Sequence, residues 1–235
     1  MSKLKGNILI ISDLHAPYQH RDALTFLKAV KNKYNIKHVK CVGDAIDNHS
    51  GSFHTIEYNT LSAKEEHEQA KQFMKKLHEE FPKMTMIIGN HSSMSYRKAK
   101  EACIPLDHIK SYNELYETPG WNWTSREFFE LSNGQKCMIV HNMSSSTLNN
   151  AAKHSFCTIQ GHFHSNFQIC YYADADMIRW SMTTGCLIDT HSPAFNYGRG
   201  ATINRPVLGC GAIINNKPIL IPMVLNDNGR WNKKV

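Results

Sequence analysis

Five short polar clusters occur in a fixed order along the chain, and four of them directly follow an apolar run typical of a buried strand. They are Asp13-Leu14-His15, Gly43-Asp44-Ala45-Ile46-Asp47, Gly89-Asn90-His91, His141 and Gly161-His162-Phe163-His164. The first three apolar runs alternate with segments of helical spacing, which gives a β-α-β-α-β series. Such a series predicts a mainly parallel sheet, with functional groups gathered beyond the carboxyl ends of its strands. The first three clusters occupy those positions.

Three strands and two helices are predicted in the first half of the chain. The strands are Asn7–Ile11, Val39–Val42 and Met84–Ile88. Apolar residues at helical spacing indicate the first helix, Ala23–Lys33. The second helix is expected to begin at Ser62, which forms a capping-box pattern with Glu65, and to end before Pro82.

Helix signals fade after Trp121, and short strands dominate the second half. The predicted strands are Phe128–Leu131, Lys136–Val140, Thr158–Gln160, Phe167–Tyr172, Ile178–Met182, Val207–Ile214 and Pro218–Val224. Asn133-Gly134 and Asn215-Asn216 are typical of tight turns between antiparallel strands. A short helix is predicted over 153–156. We expect one α/β domain over residues 1–235, with two packed mixed sheets and helices on the outside.

Composition narrows the class of protein. A hydrophobic content of 41% is typical of a globular chain. The seven cysteines are odd in number and lack CxxC spacing, which argues against a disulfide framework or a cysteine zinc site. No apolar run approaches the length of a membrane span, and the first residues lack the pattern of a signal peptide. We therefore expect a cytoplasmic protein with no membrane partner and no obligate protein partner. The net charge of +7 favours an anionic ligand.

The side chains of the five clusters are suited to two divalent transition metals. Seven of them, the candidate ligands, supply two carboxylates, one amide oxygen and four imidazoles, which are hard and borderline ligands. Taken alone, DxH is more often a cap or turn, GDxxD and GNH are plausible turns, His141 is an ordinary histidine, and GHxH is moderately specific. The ordered set is what indicates a metal centre, because independent turn residues have no reason to occur in this order. The candidate ligands are Asp13, His15, Asp44, Asn90, His141, His162 and His164.

The clusters resemble the calcineurin-like metallophosphoesterase superfamily, whose pattern is DxH, GDxxD, GNH[DE], H and GHxH. The match runs from Asp13 to His164. The resemblance implies a four-layer sandwich of two sheets flanked by helices, in agreement with the organisation above. It also implies two metal sites. Metal one would take Asp13, His15, Asp44 and His164, and metal two Asp44, Asn90, His141 and His162.

The same resemblance implies two catalytic residues outside the ligand set. His91 corresponds to a histidine that stabilises the transition state or protonates the leaving group, and Asp47 to the carboxylate that holds it. Arg97, six residues after His91, is placed to fork two phosphate oxygens. Asn90, His91 and Arg97 are thus the candidate substrate-binding residues. Ser92 departs from the pattern, since the family usually has an acidic residue there.

These residues predict a dinuclear-metal phosphoesterase. The expected substrate is a phosphodiester, such as a phosphorylated small molecule, a nucleotide or a nucleic-acid derivative, attacked by metal-bound hydroxide. The expected cofactor is two divalent ions, with Mn²⁺ favoured over Fe, Zn or Ni. A phosphomonoesterase or protein phosphatase on the same centre is the alternative, and a non-catalytic metal-containing scaffold is a third. The sequence after Asp47 lacks the Arg-Gly common in protein Ser/Thr phosphatases, which argues against that branch.

Two regions near the clusters have two possible roles: they contact the substrate, or they are ordinary surface or packing segments. One contains His49 and His54, which follow the second cluster directly. The other is Thr184–Arg205, which contains three glycines, two arginines and two aromatic residues.

Overall fold

The computed structural model describes residues 1–51, 61–173, 175, 177–192 and 205–235. Its strands are β1 (Ser2–Leu4), β2 (Asn7–Ile11), β3 (Ile36–Cys41), β4 (Thr85–Ile87), β5 (Asn122–Thr124), β6 (Arg126–Leu131), β7 (Lys136–Val140), β8 (Cys157–Gln160), β9 (Phe167–Ala173), β10 (Ile178–Thr184), β11 (Gly209–Ile214) and β12 (Lys217–Pro222). Its α-helices are α1 (Ala23–Lys33), α2 (Ala63–Glu80), α3 (Met94–Glu101), α4 (Tyr112–Tyr116) and α5 (Thr147–Lys153). Short 3-10 turns lie at His49–Gly51 and Leu106–His108.

The strands form two six-stranded mixed sheets. The first has the order β12-β11-β2-β3-β4-β5, in which β2 to β5 are parallel and β11 and β12 are antiparallel. The second has the order β1-β6-β7-β8-β10-β9, in which β7, β8 and β10 run parallel. The predicted fold class is confirmed: an α/β sandwich of two mixed sheets flanked by helices.

Strand β2 shows how the sequence specifies the layers. Successive side chains of a strand point to opposite faces. Ile8 and Ile10 accordingly join Phe129, Ile139 and other residues of the second sheet in one buried cluster between the sheets. Leu9 and Ile11 belong to the other buried cluster, on the face that packs against helices α1 and α2. Burial of each such side chain contributes about 1.5–3 kcal/mol, so a continuous apolar strand is needed where both faces are covered.

The predicted turns are confirmed. Asn133-Gly134 lies between antiparallel β6 and β7, and Gly134 has a φ of 87°. Asn215 and Asn216, between antiparallel β11 and β12, have φ values of 50° and 65°. Two consecutive positive φ angles are what a tight hairpin turn requires, and asparagine tolerates them.

The short helix predicted over 153–156 is misplaced. Helix α5 begins after Ser146, whose side chain accepts a hydrogen bond from the Asn149 N–H, and it ends at Lys153. His154 is already extended, and the chain enters β8 three residues later. The polar face of α5 obscured it in the sequence, because Asn149 and Asn150 are weak helix formers.

Two further helices were not predicted. Helix α3 buries only Met94, so it has no apolar stripe to detect. Helix α4 is a single turn with a capping box of Ser111 and Glu114. No helix among the described residues is long and apolar enough to cross a membrane.

Candidate metal centre

The loops after β2 and β3 run side by side, which brings the first two clusters together. The Asp13 N–H donates to the Gly43 carbonyl (3.1 Å), and the His15 N–H donates to the Asp44 carbonyl (2.9 Å). The Ala16 N–H continues the pattern to the Ala45 carbonyl (2.9 Å). Parallel pairing therefore extends beyond the strands and fixes the register between the two loops.

Four of the candidate ligands have a left-handed backbone. The φ angles are 48° at Asp13, 50° at His15, 42° at Asp44 and 67° at His162. Each non-glycine residue in such a region costs about 1–3 kcal/mol and persists only where the surrounding structure holds it. Backbone strain is thus concentrated on residues that the sequence singled out for function.

Two glycines of the motifs are needed for space. A Cβ added at Gly89 would collide with the Asp44 carboxylate, and one added at Gly161 would collide with the side chains of Ser12 and Asp13. The strand-end loops therefore approach the two carboxylates more closely than any other residue type allows.

The first donor cluster consists of Asp13, His15 and His164, whose ligand atoms lie within 4.8 Å of one another. Oδ1 of Asp13 is 3.1 Å from Nε2 of His164 and 3.7 Å from Nε2 of His15. The two Nε2 atoms are 3.3 Å apart. The other carboxylate oxygen, Oδ2, accepts the His162 N–H at 3.0 Å and the hydroxyl of Ser12. One oxygen is thereby committed to the backbone, while the other faces the imidazoles.

The second donor cluster consists of Asp44, His141 and His162, again within 4.8 Å of one another. Nε2 of His141 lies 2.9 Å from Oδ2 of Asp44 and 3.0 Å from the amide oxygen of Asn90. Nδ1 of His141 lies 3.0 Å from the Val42 carbonyl, to which it can donate. That bond fixes the tautomer and leaves Nε2 as the ligand atom.

The electrostatics of the two clusters favour bound positive charge. Burial opposes the charged form of His15, but the carboxylates of Asp13 and Asp47 outweigh it and raise its pKa to about 10. Burial is likewise outweighed at His141, where Asp44 raises the pKa to about 9. The pKa of Asp13 is held low against its burial by His15 and His164. Protons and divalent cations therefore compete for the same buried ring atoms.

Asp47 contacts two histidines rather than one. Its Oδ1 lies 3.0 Å from Nδ1 of His91, the contact that the sequence predicts, and 2.5 Å from Nδ1 of His15. The backbone carbonyl of Asp47 also lies 3.0 Å from Nδ1 of His91. These contacts fix Nδ1 of His91 as a donor and leave Nε2 as the ring atom open to a ligand.

A family model for calcineurin-like phosphoesterases matches residues 6–204. The chain belongs to the calcineurin-like phosphoesterase family. Among solved structures it is similar to Yfce, a phosphoesterase from E. coli, at 11% identity over 97% of this chain and 98% of that one, with a TM-score of 0.51. It is also similar to Vacuolar Protein Sorting 29 from Cryptosporidium parvum, at 14% identity over 97% and 94% of the two chains, with a TM-score of 0.47. No curated protein sequence gives a significant match.

Membership of this phosphoesterase family implies divalent metal ions, and the two clusters are candidate ligand sets. The donor chemistry fits such ions: the clusters combine carboxylate oxygens with imidazole nitrogens, a mixed set suited to Mn, Fe, Zn or Ni. Second contacts hold the ligands, since Val42 orients His141 and Asp47 orients His15. Orientation of this kind is characteristic of metal-ligating histidines.

Arg97 of this phosphoesterase lies on α3 beside the second cluster. Its Nη2 donates to the backbone carbonyl of Asn90 at 3.0 Å, and its side chain is exposed. The guanidinium that the sequence assigns to phosphate binding therefore also contacts the backbone of Asn90.

Glu66, on α2, is a buried residue beside the site that the sequence did not predict. This residue is 2% exposed, and its carboxylate accepts the N–H groups of His49 (2.5 Å) and Ser50 (2.9 Å). No sequence signal distinguished it from the other acidic residues of the helix. His49 is buried, with Nδ1 3.9 Å from Oδ2 of Asp47. His54 and residues 193–204 of the segment considered for substrate selection lie outside the described residues.

Proposed function

We propose that the chain is a dinuclear-metal phosphoesterase that hydrolyses a phosphodiester, either a nucleotide or a nucleic-acid derivative. The observation that carries the proposal is the pair of donor clusters at the strand ends, each assembled from separate loops, with two of the three residues of each cluster buried. Ordinary turns and caps do not bring carboxylates and imidazoles to 2.9–3.1 Å in two adjacent groups.

The proposed ligand sets follow the two clusters. Asp13, His15 and His164 would hold one ion, and Asn90, His141 and His162 the other, with Asp44 shared. Asp44 can bridge because a carboxylate carries two oxygens with spare lone pairs. Two divalent ions bound there would provide a nucleophile from water at neutral pH and neutralise charge on the phosphoryl oxygens. We propose Mn²⁺ for both positions.

His91 assists the leaving group in this proposal. Its Nδ1 is held by the carboxylate and carbonyl of Asp47, and its side chain is 22% exposed, so Nε2 is accessible to a bound ester. As hydroxide attacks phosphorus, the bond to the leaving oxygen breaks, and that oxygen takes the proton on Nε2 of His91, whose ring keeps the Nδ1 proton that Asp47 holds. Asn90 and Arg97 contact the phosphoryl oxygens, with the Arg97 guanidinium already lying against Asn90.

The net charge of +7 supports an anionic substrate, and the Asp47–His91 contact supports an ester whose leaving group needs a proton. Monoesters and diesters alike release an alkoxide in need of a proton, so turnover of the two kinds of ester is what separates them. The seven cysteines are all free, which supports a reducing compartment such as the cytoplasm.

Turnover of two model esters tests the proposal. The Mn²⁺-loaded protein is expected to hydrolyse bis(p-nitrophenyl) phosphate faster than p-nitrophenyl phosphate. His91→Ala is expected to keep its metal content and to lower the rate with a linear dinucleotide, whose alkoxide leaving group needs a proton. His108→Ala, at an exposed histidine outside both clusters, is the matched control. Faster cleavage of the monoester would favour the phosphomonoesterase alternative. Absence of turnover with both esters, with two ions bound, would favour a non-catalytic scaffold.

A further inference from the structure

Glu66 is a buried carboxylate that the proposed reaction does not use. Acidic side chains are almost never buried completely unless they are paired. Its described partners are two backbone donors: Oε1 accepts the His49 N–H at 2.5 Å, and Oε2 accepts the Ser50 N–H at 2.9 Å. Such charge-assisted bonds are stronger than neutral ones. Glu66 also lies near the start of α2, after the N-cap Ser62, where the helix dipole favours negative charge.

The turn that Glu66 holds, His49–Gly51, begins two residues after Asp47, which contacts His91. Between them lies Asn48, whose side-chain amide donates to the backbone carbonyl of His91 at 3.0 Å. Asn48 has a φ of 54°, and its own carbonyl accepts the Gly51 N–H at 2.9 Å. Asparagine tolerates this left-handed conformation, and the bond from Gly51 closes the turn upon it. His91 is therefore held at its ring by Asp47 and at its backbone by Asn48, the two residues before the turn.

The other end of this segment is fixed independently. The Asp47 N–H donates to the Ala16 carbonyl at 3.0 Å, and Ala16 forms a β-bridge with Ile46. The segment from Asp47 to Ser50 thus spans two anchors, the β-bridge at its start and the Glu66 carboxylate at its end. Removal of Glu66 would leave the second half of the segment without its carboxylate anchor.

We propose that Glu66 is a positioning residue for His91, acting through the turn His49–Gly51 and through Asn48 and Asp47. The inference rests on the proposed function insofar as His91 is the group that assists the leaving oxygen. A displacement of about 1 Å in a catalytic group can cost about a hundredfold in rate, so a distant carboxylate that fixes a turn has a measurable effect.

The test compares Glu66→Gln with Glu65→Gln. Both remove one carboxylate from the first turn of α2, but Glu65 is exposed and contacts only Ser62 among the described residues. The glutamine side chain in Glu66→Gln would present an amide N–H₂ to one of the two backbone donors. One of the two hydrogen bonds to the N–H groups of His49 and Ser50 would therefore be lost. The first readout is the imidazole ¹⁵N spectrum of histidine-labelled protein, with the His91 signals assigned by their loss in His91→Ala. Glu66→Gln is expected to shift the His91 Nδ1 signal, and Glu65→Gln to leave it in place.

The second readout is a double-mutant cycle on the Mn²⁺-loaded protein with a linear dinucleotide, whose leaving alkoxide needs a proton. Glu66→Gln is expected to lower kcat about tenfold with little change in KM or metal content. In the His91→Ala background it is expected to cause no further loss, because the group it positions is gone. Additive losses, or an unshifted His91 signal, would overturn the inference. If His91→Ala turns over like the wild type, the proposed function fails instead, and the spectrum still decides whether Glu66 positions His91.

Asn48→Gly provides a second variant in case Glu66→Gln does not fold. Glycine adopts a φ of 54° without strain, and the substitution removes the amide that donates to His91. We expect the same shift of the His91 signal and the same non-additive loss of kcat. An unchanged His91 signal in this variant would show that the turn does not hold His91, which contradicts the inference.

Discussion

The carboxylate of Asp47 lies 2.5 Å from Nδ1 of His15, closer than it lies to the histidine it was expected to hold. Asp47 thus joins the first donor cluster to the proposed leaving-group acid. Burial opposes its charged form, but His15 and His91 outweigh burial and hold its pKa well below the usual range. The carboxylate is therefore ionised wherever the protein is folded near neutral pH.

Asp47→Asn is expected to weaken both metal binding and catalysis. An amide in this position makes a weaker contact with each ring, so His15 loses its orientation and His91 its fixed tautomer. We expect Mn²⁺ affinity and kcat each to fall about 10- to 100-fold. Isothermal titration with Mn²⁺ and steady-state kinetics measure the two effects. Asp107→Asn, at an exposed position on a 3-10 turn, is the control. Loss of kcat with unchanged Mn²⁺ affinity would show that the contact with His15 has no role in metal binding.

Gly89→Ala is expected to abolish the second donor cluster while leaving the sandwich folded. The added Cβ collides with the Asp44 carboxylate, so either Asp44 or the Gly89 loop must move. We expect loss of about one bound ion per chain by elemental analysis. Gly134→Asn is the control, because a Cβ there meets no neighbour and asparagine tolerates a φ of 87°. Retention of the full metal content in Gly89→Ala would contradict the assignment of Asp44 to the site.

Ser92→Ala is expected to have little effect on turnover. Ser92 contributes to the site through its backbone N–H, which donates to Oδ1 of Asp44 at 3.2 Å, whereas its buried hydroxyl has no partner among the described residues. Alanine keeps the N–H and removes an unsatisfied oxygen. Kinetics with bis(p-nitrophenyl) phosphate check this, and a tenfold fall in kcat would show that the hydroxyl contacts the substrate.

The ion pair of Asp22 and Arg230 is expected to stabilise the fold in a pH-dependent way. Arg230 donates from Nε and Nη2 to the Asp22 carboxylate at 2.8 and 2.5 Å and lowers its pKa from 3.8 to about 2. Because the pKa is lower in the folded state, the stabilisation is fully present above about pH 4 and is lost as the pH falls towards 2. Arg230 is 50% exposed, so solvent screens the pair and we expect its contribution to stability to be small.

Urea unfolding of the wild type and Arg230→Ala measures this contribution. The difference in free energy of unfolding is expected to be constant from pH 7 to 5 and to shrink between pH 4 and 3. A difference that stays constant down to pH 3 would contradict the ion-pair interpretation and would assign the effect to packing of the arginine stem.

The sequence reveals those parts of the fold that repeat a strong local pattern. β2 and its Asp13-Leu14-His15 cluster were predictable because a run of buried apolar residues ends abruptly in polar ligands. The turn at Asn215-Asn216 was predictable because few residues accept two positive φ angles. Helix α3 was not, since it buries a single residue and owes its place to the loop before it.

The candidate site likewise has a part that the sequence predicts and a part that it does not. Ligand types and their order are local, so they are visible in the sequence. The contact of Asp47 with His15 joins residues 32 positions apart, and the contact of Glu66 with His49 is set by the packing of α2 against a turn. Neither contact leaves a periodic or compositional signal. In the sequence, the carboxylate of Glu66 cannot be distinguished from the other acidic residues of a polar helix, because only the fold determines which of them is buried.

The central claim, that two divalent ions act together at this edge of the sandwich, is tested most directly by titrating metal-free protein with Mn²⁺ while following hydrolysis of bis(p-nitrophenyl) phosphate. We predict two ions per chain by elemental analysis, with turnover rising only as the second position fills and disappearing on chelation. Full turnover with one ion per chain, or turnover that survives chelation, would contradict the account.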